Sequence, residues 1–263
     1  MLDKLLSLDQ VCIVLISLML LGCATNSNGR YEEGLILRQY VDELNNFNLR
    51  KPTKKTSIAA EALLEDIEEQ TLTAAEEGCE KLKKNDACSD RWDIKLVQRD
   101  AFNAYATNSR EIVLFQGLIN QVRYDEEVIF VLLHEIGHHA HDHISKTQTR
   151  AGVGMVAGAI LGGAVGSLTG DPSLVSNTMI DGAAIGGQIG ALAYSVSQEK
   201  EADAFAVEVM EELDLDMDKA RYVLIRMAKM SARMHTAFLD SHPSGPDRLH
   251  SFDNEVSKRL RID

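Results

Sequence analysis

The sequence predicts an α+β fold that is mainly helical, with a small antiparallel sheet and a glycine-rich helical hairpin. Apolar residues recur at helical spacing over most of the chain, and segments that alternate like strands occur between residues 93 and 115. Glycine recurs every fourth residue in two runs between 151 and 193. A chain of 263 residues with 45% hydrophobic and 25% charged residues is typical of one large globular domain or two small ones.

The N-terminus is typical of a secretion signal. An uncharged apolar run over residues 11–21 is too short to span a bilayer comfortably. It ends in Leu-Leu-Gly-Cys at 20–23, which resembles the bacterial lipobox, where cleavage precedes the cysteine and the thiol receives a diacylglycerol. We therefore expect a signal peptide over 1–22 and a tether over 23–30 with Cys23 lipidated, followed by a folded domain over 31–263. An uncleaved membrane anchor is the alternative.

The residues after Cys23 and the remaining cysteines indicate the compartment. Ala24 and Thr25 include no aspartate, and by resemblance to bacterial sorting rules this predicts an outer-membrane lipoprotein that faces the periplasm. In that oxidising compartment Cys79 and Cys88 are expected to form a disulfide, since their spacing is too wide for a CxxC metal or redox site. The net charge of −13 would repel a phosphate backbone, so we expect no nucleic-acid partner.

The first half of the chain divides into two helices and a small sheet. Acidic residues separate the apolar positions of the helices, and the chain breaks near Pro52. The predicted elements are helices over 31–49 and 57–84, a strand over 93–97, and a hairpin of 103–106 and 112–115 around 108–110.

The second half is predicted to be helical throughout. A long buried helix covers 125–143, and the glycine-rich segment 151–193 forms a tightly packed hairpin divided at Asp171-Pro172. This segment could also insert in the membrane, because residues 151–169 carry no charge, although Asp171 and Asp181 interrupt the wider region. Further amphipathic helices are expected over 198–213, 218–234 and 247–260.

The chemistry is expected at HEIGH, residues 134–138, on the long buried helix. Histidines four residues apart lie on one helical face, so His134 and His138 can converge on one Zn²⁺. Glu135 lies beside them, placed to take a proton from a water molecule that the metal activates. The motif therefore predicts a hydrolytic zinc site.

A catalytic zinc needs a third protein ligand. A metzincin would have glycine at position 141 and histidine at position 144, but His141 and Ile144 stand there. A gluzincin takes a glutamate from a later helix, and EKEAD at 199–203 begins such a helix. Glu199 and Asp203 share one face there, whereas Glu201 is rotated away from it; a solvated acidic first turn is the alternative interpretation.

Three motifs in this order resemble the HtpX and CAAX-prenyl-protease class of membrane-associated zinc endopeptidases. They are HEIGHHAHDH at 134–143, EKEAD at 199–203 and SHPSGPDR at 241–248. With its lipobox, size and glycine-rich middle the chain is similar to the Oma, LoiP, YcaL and BepA type, over roughly residues 90–255.

The resemblance implies a gluzincin-type domain with one Zn²⁺ per chain, held by His134, His138 and Glu199. It implies Glu135 as general base and Asp203 as acceptor for the free N–H of a liganding histidine. It also implies that the edge strand at 103–106, including Asn103, Ala104 and Tyr105, lies beside the cleft and pairs with a substrate chain.

His242, Arg248 and the histidines after the motif admit several interpretations. His242 could stabilise the developing oxyanion, could occupy the open zinc position and mask it, or could simply precede a helix that begins at proline. Arg248 could fix that loop through carboxylates. His139, His141 and His143 are interpreted as helix-end residues that favour the C-terminal dipole.

The expected function is that of a membrane-anchored zinc endopeptidase for protein quality control in the bacterial cell envelope. Its expected substrates are unfolded or misassembled polypeptides, because pairing at a strand edge reads backbone more than side chains. The expected partners are the membrane, through the lipid anchor, and the outer-membrane assembly machinery or other envelope proteases. A chaperone-like module that binds misfolded outer-membrane proteins without cleaving them is the alternative.

Overall fold

The structure is a computed structural model that describes most of the chain after residue 26. The described residues are 27–48, 52, 54–82, 88, 91–107, 110–168, 172–191, 194–231 and 242–259. The predicted signal peptide and Cys23 lie outside them.

Nine helices and three strands make up the described residues, which confirms the mainly helical α+β class. The helices are α1 (Ser27–Asn46), α2 (Ser57–Lys81), α3 (Gln116–Ile119), α4 (Asp125–Ala140), α5 (His143–Ser167), α6 (Pro172–Ala191), α7 (Val196–Glu212), α8 (Met217–Ser231) and α9 (Pro246–Arg259). The strands are β1 (Asp93–Val97), β2 (Ala104–Ala106) and β3 (Glu111–Phe115).

The sheet is mixed, which corrects the prediction of an antiparallel sheet. The hairpin of β2 and β3 is antiparallel as predicted, with Ala104 opposite Leu114. However, β1 pairs with the other edge of β3 in parallel, and the strand order is β1-β3-β2. The link between β1 and β2 crosses the end of β3, where the Gly117 N–H donates to the carbonyl of Arg99 at 2.8 Å. Residues 98–103 are long enough to pass over one strand, so β1 and β2 can occupy opposite edges.

Helix α4 forms the centre of the core because it is covered on all sides. Every residue of α4 from Glu127 to His138 is buried, and the helix packs against α2, α7, α8 and the sheet. A polar side chain on a helix that is buried all round destabilises the fold unless it finds a hydrogen-bond partner inside the protein. The histidines and Glu135 in this helix therefore require partners within the interior.

Helix α1 is joined to the C-terminal helices by ionic contacts. Arg221 on α8 contacts Glu43 on α1 at 2.5 Å and Asp253 on α9 at 2.7 Å. Lys229 on α8 donates to the carbonyls of Leu44 and Phe47 at the end of α1. Because α1 begins at Ser27, residues 27–30 of the expected tether are helical.

The predicted disulfide is present between Cys79, at the end of α2, and Cys88. Cys79 is fully buried and belongs to the hydrophobic core. The bridge therefore ties Cys88 to the core.

The glycine-rich segment forms the predicted hairpin of two helices, α5 and α6. A Cβ atom on Gly162 would lie 1.9 Å from the Thr178 carbonyl oxygen, so the two backbones approach as closely as glycine allows. Much of the apolar surface of α5 is exposed, for example Ile160 at 66% and Leu161 at 67%. By length and composition α5 could cross a membrane, with a mean hydropathy of 1.2 over its most apolar window, of which 6% is buried.

Candidate metal centre

Helix α4 presents its two predicted ligands toward the same point. The carboxylate of Glu127 accepts hydrogen bonds from the N–H groups of Arg123 and Tyr124, at 2.7 and 3.1 Å, which fixes the start of the helix. Two turns later His134 and His138 point their Nε2 atoms at one another, 3.1 Å apart. The predicted i, i+4 geometry of the motif is therefore present.

Helix α7 brings the predicted third ligand to the same point. Ser195 and Gln198 form a capping box, in which each side chain bonds to the backbone N–H of the other, and this places Glu199 in the first turn. Glycine at position 137 allows α7 to approach α4 closely, because a Cβ there would lie 3.0 Å from the Cα and carbonyl oxygen of Ala202. Close helix contact is thus built into the site.

Four side chains converge where α4 meets α7: His134, His138, Glu199 and His242. Their ligand atoms all lie within 4.8 Å of one another. Glu199 lies 3.4 Å from the Nε2 atoms of both His134 and His138. Nδ1 of His242 lies 3.2 Å from His134 Nε2 and 3.2 Å from Glu199 Oε1. The structure therefore brings the three predicted ligands together and adds His242 as a fourth.

This donor set fits Zn²⁺ in spacing and in charge. Four ligands at the usual zinc distances would be separated by about 3.3 Å in a tetrahedron. Five of the six pairs of side chains have contacts of 3.1 to 3.4 Å, when either oxygen of Glu199 is counted. Two buried carboxylates, of Glu199 and Asp203, contact the guanidinium of Arg248, and the buried carboxylate of Glu135 lies near enough to act on its charge. A divalent cation would balance the formal charge of this group.

Asp203 and Arg248 hold the predicted ligands from behind. Asp203 Oδ1 lies 2.9 Å from Nδ1 of His134, which leaves Nε2 of that ring for the metal. The Arg248 guanidinium donates to both oxygens of Asp203, at 2.7 and 2.8 Å, and to Glu199 at 2.6 Å. All three side chains are buried. The structure therefore places Asp203 and Arg248 in direct contact with the predicted ligands.

The charges of the site shift the pKa values of its ligands in opposite directions. Burial opposes the charge of Glu199, but Arg248 and the neighbouring imidazoles outweigh it and hold the pKa of Glu199 well below its usual range. Burial lowers the pKa of His134, yet Glu199 and Asp203 more than offset this and raise that pKa to about 9. Burial keeps the pKa of His138 well below its ordinary value, so His138 is neutral, the form that binds a metal.

Glu135 lies beside the cluster with an unsatisfied carboxylate. Both of its oxygens are buried and accept no hydrogen bond from the described residues. Oε1 lies 3.4 Å from Nε2 of His242. A buried carboxylate without a donor is costly in a folded protein and is typical of a group kept for chemistry.

Sequence reasoning missed two side chains that contact His138. Tyr194, just before α7, stacks on its ring with 3.7 Å between centroids. His143 is buried, and its Nδ1 lies 2.9 Å from Nδ1 of His138. The interpretation of His143 as a helix-end residue is therefore wrong, because α4 ends at Ala140 rather than 143, and a turn with Asp142 at φ 55° begins α5.

The other contact of His143 is Glu201, the residue of EKEAD that the sequence analysis placed away from the ligand face. Nε2 of His143 lies 3.0 Å from the Glu201 carboxylate on α7. Burial lowers the pKa of His143 to about 4. The clustering of histidines in HEIGHHAHDH was the signal available in the sequence, but the turn at residues 141–142 was not visible there.

The predicted substrate strand lies at an edge of the sheet. Strand β2 pairs with β3 on one side, and the β3 residue Phe115 donates from its N–H to the carbonyl of Asn103 at 3.1 Å. Ala104 is buried, whereas Tyr105 is 40% exposed. Strand β2 also packs on α4, the helix that carries the motif.

Comparison with known proteins places these features in a family. The sequence profile of peptidase family M48 matches residues 65–256, which include β2, both ligand helices and Arg248.

Several characterised proteins are similar to the chain. The mitochondrial metalloendopeptidase OMA1 of Arabidopsis thaliana is 29% identical over 157 residues, 60% of this chain and 30% of that protein. The metalloprotease LoiP of Escherichia coli is 28% identical over 168 residues, 63% of each chain. The β-barrel assembly-enhancing protease of Yersinia pestis is 25% identical over 167 residues, 62% of this chain and 34% of that protein. The chain thus spans less than two thirds of the length of these relatives.

Proposed function

The chain belongs to peptidase family M48 and is therefore a metallopeptidase, and from this premise we propose that it is a zinc-dependent endopeptidase acting on unfolded or misassembled proteins of the bacterial cell envelope. The observation that carries the proposal is the convergence of His134, His138 and Glu199 beside the unsatisfied carboxylate of Glu135. Two relatives are named metalloendopeptidase or metalloprotease, which supports cleavage within a polypeptide chain.

The cofactor is zinc, and we assign its binding to His134, His138 and Glu199. Zinc, when bound, polarises a peptide carbonyl and makes a water molecule acidic enough to lose a proton near neutral pH. Asp203 holds the His134 ring in the tautomer with a free Nε2, and Arg248 keeps the carboxylates of Glu199 and Asp203 in place.

Glu135 is assigned the proton transfers. A carboxylate oxygen of Glu135 accepts a proton from the attacking water and delivers it to the nitrogen of the leaving amine. Both of its oxygens are buried and accept no hydrogen bond from the described residues, so they are available to accept one from the water molecule.

For His242 the geometry favours masking of the metal position over stabilisation of an oxyanion. An oxyanion donor has to lie about 2.7–3.1 Å from the oxygen of a bound substrate carbonyl, with room left beside the metal position for that carbonyl. His242 is instead buried among the ligands, with Nδ1 3.2 Å from Glu199. We infer that the described arrangement is a closed form, in which His242 has to leave the ligand cluster before a substrate can reach the metal position.

Substrate recognition is assigned to the backbone of the edge strand. Asn103, Ala104 and Tyr105 lie at the edge of a sheet that packs on α4, so an extended polypeptide can add to β2 as a further strand. Backbone pairing favours unfolded segments, because most backbone N–H and C=O groups of a folded chain already have partners. This preference supports a role in protein quality control.

Localisation and domain organisation follow from the N-terminal sequence. We propose that residues 1–22 are removed as a signal peptide, that Cys23 carries the lipid and that the domain from residue 31 onward faces the periplasm from the outer membrane. The Cys79–Cys88 disulfide is consistent with an oxidising compartment. The name of the Yersinia pestis relative refers to β-barrel assembly, which supports outer-membrane assembly machinery as a partner.

Cleavage of an unfolded protein with and without metal tests the proposed function. Wild-type protein is expected to contain one zinc per chain and to cleave reduced, unfolded casein, and a chelator should abolish cleavage. Glu135→Gln should retain the zinc and lose at least about 100-fold in activity, the contribution typical of a general base. A Glu135→Gln variant that cleaves like the wild type would refute the assignment, and zinc-loaded wild type that binds casein without cutting it would favour the chaperone-like alternative.

A further inference from the structure

His143 begins α5 and is completely buried between the metal centre and α7. Its ring bridges two groups: Nδ1 lies 2.9 Å from Nδ1 of His138, and Nε2 lies 3.0 Å from Oε2 of Glu201. The Glu201 side chain is 47% exposed, so the chain of contacts runs from the metal centre to solvent. None of the roles assigned above uses His143 or Glu201.

The two contacts determine where each hydrogen lies. An ionised carboxylate only accepts hydrogen bonds, so Nε2 of His143 carries a hydrogen and donates it to Glu201. In the neutral ring Nδ1 then has a free electron pair and accepts. The close Nδ1–Nδ1 contact is a hydrogen bond only if His138 donates from its own Nδ1. Nε2 of His138 is thereby left without a hydrogen and faces His134 and Glu199.

We propose that Glu201 and His143 are positioning residues that hold His138 in its metal-binding tautomer. They do for His138 what Asp203 does for His134, but through an intervening imidazole. In the other tautomer, His138 would present an N–H to the metal, and the ring would have to exchange its hydrogen before binding. The proposal deepens the proposed function, because it rests on His138 as a zinc ligand.

Substitutions that remove the acceptor atom Nδ1 of His143 test this role, and the measurement is zinc affinity rather than cleavage. His143→Leu keeps a bulky side chain but removes the acceptor, and the zinc dissociation constant from chelator competition is expected to rise about 10–100-fold. His143→Asn retains an amide oxygen that can accept from Nδ1 of His138, and it should recover most of the loss. A merely structural role would not separate these two variants in this way.

Glu201→Ala removes the contact between Glu201 and His143 and leaves the contact between His143 and His138 in place. The zinc dissociation constant of Glu201→Ala is expected to rise, as it is for His143→Leu. Glu212→Ala is the matched control, since Glu212 lies on the same helix and pairs with Lys81 far from the metal centre. Nitrogen-15 NMR of the zinc-free protein should show His138 with its hydrogen on Nδ1 in the wild type and a mixture of tautomers in Glu201→Ala.

The outcomes separate this inference from the proposed function. If folded Glu201→Ala binds zinc as tightly as the wild type and keeps the same His138 tautomer, the positioning role of Glu201 and His143 is overturned, even if the protein is a peptidase. Should His143→Leu fail to fold, the Glu201→Ala and His143→Asn variants decide the question. Wild-type protein that binds zinc without cleaving casein would instead contradict the proposed function and leave the affinity comparison valid.

Discussion

In the metal centre, the charged form of each buried residue is stabilised by the opposite charge of its neighbours. Glu199 and Asp203 are buried carboxylates that share the guanidinium of Arg248, at distances of 2.6 to 2.8 Å. Burial opposes the charge of Asp203, but Arg248 and His134 outweigh it and lower the pKa of Asp203. Removal of one partner from such a group leaves the others charged and without compensation.

Arg248→Leu is therefore expected to destabilise the zinc-free protein by about 3–5 kcal/mol, because two buried carboxylates lose their counter-charge. Urea unfolding of the zinc-free protein measures this loss. Arg259→Leu on the same helix is the control, since Arg259 pairs with Glu208 and Glu211 near the surface and its loss should cost at most about 1 kcal/mol. Equal losses of stability in the two variants would show that Arg248 does not stabilise the buried carboxylates of Glu199 and Asp203.

His242→Ala distinguishes the two roles considered for this residue. If His242 masks the metal position and the open form is a minor state of about 10%, its removal should raise the rate of casein cleavage by about tenfold. If it stabilises the oxyanion, kcat should fall by about 100- to 1000-fold. Initial rates decide between them, with His250→Ala as the control, since His250 contacts Tyr40 and Asn254 away from the site.

The predictable residues are those whose partners lie one helical turn away or in a recognised motif. His134 and His138, and likewise Glu199 and Asp203, follow from the i, i+4 rule, and the order of motifs pairs the two helices. His143 and Tyr194 could not be predicted, because their contacts with His138 depend on the turn at 141–142 and on how the start of α7 packs against α4. His242 was predicted in the site, but its place among the ligands follows from tertiary packing.

At the level of elements, the spacing of α4 and α7 decides whether the ligands can meet. Gly137 faces the backbone of Ala202, where an added Cβ would be 3.0 Å from two backbone atoms. Helix periodicity predicted both elements to within a few residues, because apolar spacing is local information. The parallel pairing of β1 with β3 was not predictable in the same way, since it joins segments separated by β2.

Gly137→Ala is expected to push α4 and α7 apart by a few tenths of an ångström and to weaken zinc binding. Alanine normally stabilises a helix interior by about 1 kcal/mol relative to glycine, but overpacking at this contact should cost about 1–3 kcal/mol. Gly152→Ala on α5 is the control, because its Cβ would meet no atom within 4 Å. Urea unfolding and chelator competition should show a loss only for Gly137→Ala, and equal gains in stability would contradict the tight helix contact.

At the scale of the whole molecule, two features could hold the protein on a membrane: the proposed lipid on Cys23 and the exposed apolar helix α5. Acyl chains contribute about 0.8 kcal/mol per buried CH₂ group, so the chains of a lipoprotein suffice for stable attachment. Helix α5 has a mean hydropathy of only 1.2. Its partner α6 carries the exposed Asp181, whose burial at the centre of a bilayer would cost about 2.5–3.5 kcal/mol.

Cys23→Ser is therefore expected to release the protein from the membrane. In cell fractions the wild type should stay in the membrane pellet through both high-salt and alkaline carbonate washes, whereas Cys23→Ser should move to the soluble fraction in the salt wash. A Cys23→Ser protein that resists carbonate would show either that the uncleaved N-terminal segment remains as an anchor or that the α5–α6 hairpin inserts. Mass spectrometry of its N-terminus identifies the first case, and adding Ile160→Asp, which places a charge on the exposed face of α5, would release the protein only in the second.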